Sequence, residues 1–218
     1  MHKWTNVHIF LPMGKGVCMT RSDALLNRQQ IMDAFHNATR HEVDRLPTMS
    51  DIVKLSGVGR GTVYRHFPDM GSLAFSFMTK GYEALFAKSR EMLRSATTPA
   101  QSRAVLEDHL YRYRAFTKEN LAILTTSEVI TSDGCNLAHT SQRQAVRRAL
   151  RDMSGIGKTS PDLLETAVDL ISRSADPAHL KSVGLTQDTD DPMANTAIKL
   201  ALEIADAVVL QLKSSKDE

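Results

Sequence analysis

The chain has 218 residues, 42% of them hydrophobic and 24% charged, with a net charge of +2. That make-up is ordinary for a globular protein with enough chain to bury a core without staples, and it allows one or two domains. No membrane span is expected, since no stretch approaches the run of about 18 apolar residues that one needs, and no secretory signal is expected, because no charged start leads into an apolar run and a small-residue cleavage site. The two cysteines, Cys18 and Cys135, are too far apart for a metal-type spacing and read as free thiols of a reducing compartment. A cytoplasmic protein without membrane, metal or cofactor is the expectation.

Charge is distributed unevenly. Residues 1–20 hold two lysines and no acids. Residues 21–70 hold 7 basic and 6 acidic side chains, residues 71–160 hold 13 and 8, and residues 161–218 hold 5 and 11. Phosphate would repel the acidic C-terminal region, so a polyanion-binding face belongs elsewhere. Ordinary surface variation explains the same counts equally well.

Residues 1–19 show no periodicity and read as a disordered arm. Met19 opens a helical-looking stretch, so translation could begin there; otherwise the preceding residues are a short basic arm. A first helix is expected over Asp23–His41, with Thr20–Asp23 as a capping box and Ile31, Ala34, Phe35 and Ala38 on one stripe. Thr48–Asp51 is a second capping-box pattern opening a short helix with Ile52, Val53 and Leu55 as its apolar positions. Gly57 ends it. A third helix follows over Arg60–Phe67, stopped by Pro68, and Asp69 is a suitable N-cap for a long helix over 70–94. Further helices are expected near 100–118, 120–131, 137–153, 161–174 and 193–213. The breaks between them fall at Glu119-Asn120, at Ser132–Gly134, at Ser154–Ser160 and at Asp176–Pro192. No stretch alternates as a strand does, so the fold class is all-α.

Thr48–Phe67 is the informative segment. Two short helices flank Gly57-Val58-Gly59, a turn of the kind that joins a helix-turn-helix. Ile52, Val53, Val58 and Val63 would hold the pair together, and the first turn of the second helix would face outward, where base edges would lie. Arg60 can pair with guanine or phosphate. Gly61 permits close backbone approach. Thr62, Tyr64, Arg65 and His66 can reach a phosphate backbone, whose contacts set register. The same spacing also occurs in plain helix packing, in which Tyr64 and Phe67 would be core aromatics.

The run TMSDIVKLSGVGRGTVYRHFPDMGSL resembles the DNA-binding signature of the TetR family of repressors through its Gly-Val turn, its Gly-Thr-Val-Tyr-Arg-His-Phe block and the Pro-Asp that opens the next helix. The resemblance covers about residues 20–80. It implies an N-terminal three-helix helix-turn-helix domain over residues 20–70 and a C-terminal helical ligand-binding and dimerisation domain over 71–218. It also implies that Thr62, Tyr64 and His66 contact DNA, with Tyr64 on phosphate, and that Arg60 and Arg65 are recognition-helix contacts; with Thr48 and Gly61 these form the expected DNA-contacting set. Two departures stand out. Gly59 replaces a frequent serine or threonine N-cap, and Met70-Gly71 replaces a frequent lysine and acidic residue, although the helix N-terminus there could still meet phosphate through its N–H groups.

The last helix is apolar around most of its circumference and the helix over 161–174 is strongly apolar too. Together they suggest a four-helix interface across a two-fold axis, the alternative being burial within one subunit. The resemblance implies an effector cavity within helices 100–153, for which Tyr111, Tyr113, Thr125, Glu128, Asn136 and His139 are candidate polar lining residues. Arg143, Arg147, Arg148 and Arg151 recur at helical spacing as a solvated basic stripe or, alternatively, an anionic-ligand site. No H-E-x-x-H, P-loop, G-x-S-x-G or CxxC motif points to an enzyme. The function expected is a sequence-specific repressor, a homodimer on double-stranded DNA released from a palindromic operator by a small-molecule effector. The alternative is a helical dimeric interaction protein with a lapsed DNA site.

Overall fold

The computed structural model describes residues 21–41, 46–126, 129, 133–155, 160–182 and 192–214. The expected arm over 1–19, Cys18, Thr20 and Glu128 lie outside them. Among the described residues the fold is all-α: α1 (Arg21–His41), α2 (Met49–Ser56), α3 (Arg60–His66), α4 (Met70–Ser95), α5 (Pro99–Glu119), α6 (Leu121–Leu124), α7 (Asp133–Ser154), α8 (Pro161–Arg173), α9 (Pro177–Ser182) and α10 (Pro192–Ser214).

Local chemistry fixes the starts. Thr48 accepts from the Asp51 N–H while Asp51 reaches back to the Thr48 N–H, the reciprocal pair expected for α2. Asp69 accepts from the Ser72 N–H to open α4. Thr98 and Gln101 make a further capping box at α5, with Pro99 in its first turn.

Two clusters of buried side chains hold the molecule together. One joins Ile31 and Phe35 of α1, Ile52 of α2, Val63 of α3 and Met70, Leu73 and Ala74 of α4, and continues through Tyr82, Phe86 and Tyr113 to Ile123 and Leu124. The other joins Leu93 of α4, Leu106 and Leu110 of α5, Val146 and Leu150 of α7, Val168 and Ile171 of α8 and Ile198, Leu202 and Val209 of α10. Each fully buried aliphatic or aromatic side chain is worth about 1.5–3 kcal/mol. Helix α4 supplies residues to both clusters. Its N-terminal part packs with α1–α3 and its remainder with α5 and α7, so one continuous helix carries the small N-terminal unit on the bundle.

The structure departs from the sequence reading at three connections. The expected helix over 120–131 begins as a single turn, α6, that closes at Thr125. The Asn120 amide there bonds back to the Phe116 carbonyl and the Thr125 hydroxyl to the Leu121 carbonyl, local bonds that offer the backbone an alternative to helix propagation. The expected break at Ser132–Gly134 gives way at Asp133, where α7 begins with Gly134 inside it. The cost of a helical glycine, about 1 kcal/mol, is offset by the buried face of Ala138, Val146, Ala149, Leu150 and Met153. Within Asp176–Pro192 lies α9, because Asp176 accepts from the Ala178 and His179 N–H groups and Leu180 is fully buried. In α2, Leu55 stays 61% exposed.

Charge segregation along the sequence becomes complementarity between helices. Arg147 of α7 holds Glu165 of α8 through two bonds of 2.6 and 2.5 Å. Arg143 holds Asp169 at 2.6 Å, and Arg103 of α5 holds Asp206 of α10 at 3.1 Å. Arg148 pairs with Asp152 on its own helix. Two of the four arginines of the expected stripe, Arg143 and Arg147, are therefore bolts between the basic middle of the chain and its acidic end. Arg147 holds the Glu165 carboxyl below its usual range, and Arg173, assisted by Arg143, does the same for Asp169.

Candidate nucleic-acid interface

Helices α2 and α3 meet through a turn that only glycine makes easily. Gly57 ends α2 in the left-handed region at φ 66°, where an L side chain would be strained. Val58 then turns inward, its N–H bonded to the Ser56 hydroxyl at 3.3 Å. Gly59 starts α3 without a side-chain cap, as its identity predicts, and only its carbonyl serves the helix, accepting from Thr62 and Val63 at 2.8 and 3.1 Å.

Val63 and Phe67 are fully buried and fix the rotation of α3. The same rotation exposes Arg60, Gly61, Tyr64 and Arg65 and leaves Thr62 and His66 half-buried. Tyr64 is thus an outward side chain, whereas Phe67 is the core aromatic of the segment. The Arg60 guanidinium lies 5.5 Å over the Tyr64 ring, and Arg65 donates to the Thr62 hydroxyl at 3.1 Å. Exposed cations and hydroxyls on one short helix match what phosphates and major-groove base edges accept.

His66 is set differently. Its Nε2 is buried without a hydrogen-bond partner, and burial together with Arg28 and Arg65 lowers its pKa. It therefore favours the neutral imidazole, a weaker phosphate ligand than a cation. Thr48 is exposed, but its hydroxyl already bonds Asp51. Met70 and Gly71 are buried, and at the start of α4 the Asp69 carboxylate takes the Ser72 N–H at 2.7 Å, so no side-chain cation stands there and one of the N–H groups a phosphate could use is occupied.

Sequence reasoning passed over two residues of this unit. Arg28 of α1 lies 4.5 Å over the Phe67 ring and donates to Ser76 at 3.1 Å, which braces α3 against α1 and α4. Lys54 is an exposed cation in the last turn of α2. The i, i+4 periodicity of α1 signalled its apolar face only, so Arg28's partners, which lie far along the chain, left no local trace.

The family model for bacterial regulatory proteins of the tetR family matches residues 47–77, which span α2, the turn, α3 and the start of α4. In that segment the chain is similar to the DNA-binding part of tetR-family regulators. An HTH-type transcriptional regulator of Staphylococcus aureus strain MRSA252 is 36% identical over 86 residues, 39% of this chain and 45% of that protein. Another, from strain RF122, is 28% identical over 94 residues, 43% of this chain and 51% of that protein. The chain spans about half the length of these curated relatives. Among solved structures, SmeT, the repressor of the Stenotrophomonas maltophilia multidrug efflux pump SmeDEF, aligns over 83% of this chain and 88% of its own at 17% identity and a TM-score of 0.42. A protein of Mesorhizobium loti assigned to the TetR family aligns over 88% and 98% at 13% identity and 0.34.

Of the six residues expected to line an effector cavity, the five described ones are not brought together. Tyr113 is buried, its ring between Tyr82, Phe86 and His109 at 6.2–6.4 Å. Its hydroxyl bonds that of Tyr82, and burial pushes both phenols up. Tyr111 packs half-buried against the second cluster. Thr125 accepts from Lys181 at 3.4 Å. Asn136 and His139 are exposed, and His139 bonds Asp176 at 2.7 Å, a contact that raises the imidazole pKa. Glu128 lies outside the described residues.

The bundle instead holds a polar chain that the sequence did not reveal. His109 of α5 is buried between Ser89 of α4, 2.7 Å from Nδ1, and Gln142 of α7, 2.6 Å from Nε2. Gln142 places its Oε1 on Nε2, an acceptor that calls for the proton on that nitrogen, so Nε2 donates to Gln142 and Nδ1 faces the Ser89 hydroxyl, which also contacts the Leu85 carbonyl and Arg112. Burial draws the His109 pKa down to about 4.

Proposed function

We propose that this protein is a sequence-specific transcriptional repressor of the TetR type that binds double-stranded DNA as a homodimer and leaves a palindromic operator when a small-molecule effector binds its helical C-terminal region. The observation that carries the reading is the rotation of α3, which buries Val63 and Phe67 and turns Arg60, Tyr64 and Arg65 outward. Dimerisation is supported by α8 and α10. One face of each is buried within the subunit, yet Leu170, Leu200 and Leu210 remain 50%, 53% and 68% exposed, an apolar surface suited to a four-helix contact across a two-fold axis. A dimer would set two α3 helices about 34–36 Å apart, one turn of B-DNA.

Selection from a random double-stranded DNA library at fixed salt tests this. Enrichment of one palindromic site, lost in Tyr64→Ala while the dimer persists, is the expected result. Weak, salt-sensitive binding without a consensus would favour the helical interaction protein with a lapsed site, the reading that Met70 and Gly71 support.

A further inference from the structure

A groove of about 380 Å³ runs between α4 and α7, a volume in the range of small-molecule sites. Phe86 and Leu93 give it an apolar wall, and Arg90, Arg94 and Arg148 give it a cationic rim beside the hydroxyl of Ser141. None of the five described cavity residues expected from the sequence lines it. Arg148 already shares its charge with Asp152, whereas Arg90 and Arg94 are exposed and bond no carboxylate among the described residues. They stand at i and i+4, so their guanidinium groups share one side of α4, and such forks take carboxylates in bidentate fashion. DNA phosphate does not account for them. Arg94 lies 24 residues beyond Met70 along a continuous helix, about 36 Å from the helix-turn-helix end at the usual rise.

We infer that the groove between α4 and α7 binds an anionic amphiphile, a molecule with an apolar body on Phe86 and Leu93 and a carboxylate held by Arg90 and Arg94. The apolar wall sets the class apart from inorganic anions, and the paired arginines set it apart from neutral or cationic apolar compounds. The Phe86 ring also packs 6.1 Å from the His109 ring, which ties the groove to the polar chain linking α4, α5 and α7. Because α4 carries the helix-turn-helix at its other end, the occupant can bias its setting. That regulatory consequence rests on the function proposed above; the binding site does not.

Decanoate, kept below its critical micelle concentration, is the probe. Titration calorimetry on the full chain would find decanoate bound at one site, with decanol and decyltrimethylammonium at least tenfold weaker. The exposed-site variants Arg90→Gln and Arg94→Gln would each weaken decanoate about tenfold at unchanged melting temperature. Equal binding of decanoate and decanol, no binding of decanoate, or unchanged affinity in both variants overturns the site. A fluorescence-anisotropy arm with the selected DNA separates the two readings. Arginine-dependent decanoate binding that leaves DNA affinity unchanged supports the site and refutes effector release by it.

Discussion

Replacing His109 with glutamine tests whether the buried polar chain is neutral. The folded imidazole titrates at about 4, against an ordinary value of about 6.5. A histidine whose folded pKa is depressed lends stability that is complete above 6.5 and is lost as pH falls toward 4, because the unfolded chain takes up the proton first. Between pH 7.5 and 5.0 the linkage integral amounts to about 2 kcal/mol. His109 is only 2% exposed, so solvent screening does not reduce that figure much. For a chain of this length about 2 kcal/mol corresponds to a melting shift of about 4–8 °C. The assay is thermal and urea unfolding at a series of pH values, with the C2 proton of His109 followed by NMR. Wild type should lose that stability on acidification. His109→Gln, which keeps hydrogen-bonding capacity toward Ser89 and Gln142, should be flatter by the same amount. Equal pH slopes for both proteins, with a His109 resonance titrating near 6.5, would refute the reasoning. His139 has the opposite sign. Its pKa is raised by Asp176, so its contribution is complete below 6.5 and is lost as pH rises through the raised folded value, which His139→Gln would remove from the alkaline side of the profile.

Three further substitutions follow from single contacts. Gly81→Ala would place a Cβ into the Phe116 ring, which packs at 4.6 Å on Tyr82; overpacking of about 1–3 kcal/mol exceeds the helix-propensity gain of about 1 kcal/mol, so urea unfolding should show a net loss, and a gain would count against the close packing of α4 on α5. Thr48→Ala removes the hydroxyl that accepts from the Asp51 N–H and leaves the backbone half of the α2 cap; it should cost about 1 kcal/mol, whereas Thr48→Ser should restore it, as measured by the unfolding midpoint. In a double-mutant cycle, Arg147→Ala and Glu165→Ala should couple by at most about 1 kcal/mol at low salt, and the coupling should shrink with added salt and as pH falls below the usual carboxylate range.

Local signals determined much about this protein. The Thr48–Asp51 cap, the glycine turn at Gly57, the uncapped Gly59, the stop at Pro68 and the Asp69 cap each involve residues within a few positions of one another, so their chemistry can be read before any packing is known. The same is true of the buried and exposed sides of α3, since its period is set by residues three and four apart. The block Gly61–Phe67 added the resemblance to tetR-family regulators and, through it, the expectation of DNA contacts.

Tertiary structure alone decided the rest. Arg28 finds Phe67 and Ser76, Arg147 finds Glu165 and Arg103 finds Asp206 across many intervening residues, and no periodicity encodes such partners. For that reason two arginines of an apparent basic stripe, Arg143 and Arg147, are interhelical bolts. The helix α9 depended on the burial of Leu180, and the persistence of α7 through Gly134 on the face it packs against α5. His109 sits in an unremarkable stretch of α5, and only packing makes it a neutral, dry imidazole between Ser89 and Gln142. The groove arginines were visible as residues, but their shared apolar wall exists only where α4 meets α7. Burial and long-range pairing are properties of the folded chain, and a sequence records them only where the two partners happen to be neighbours.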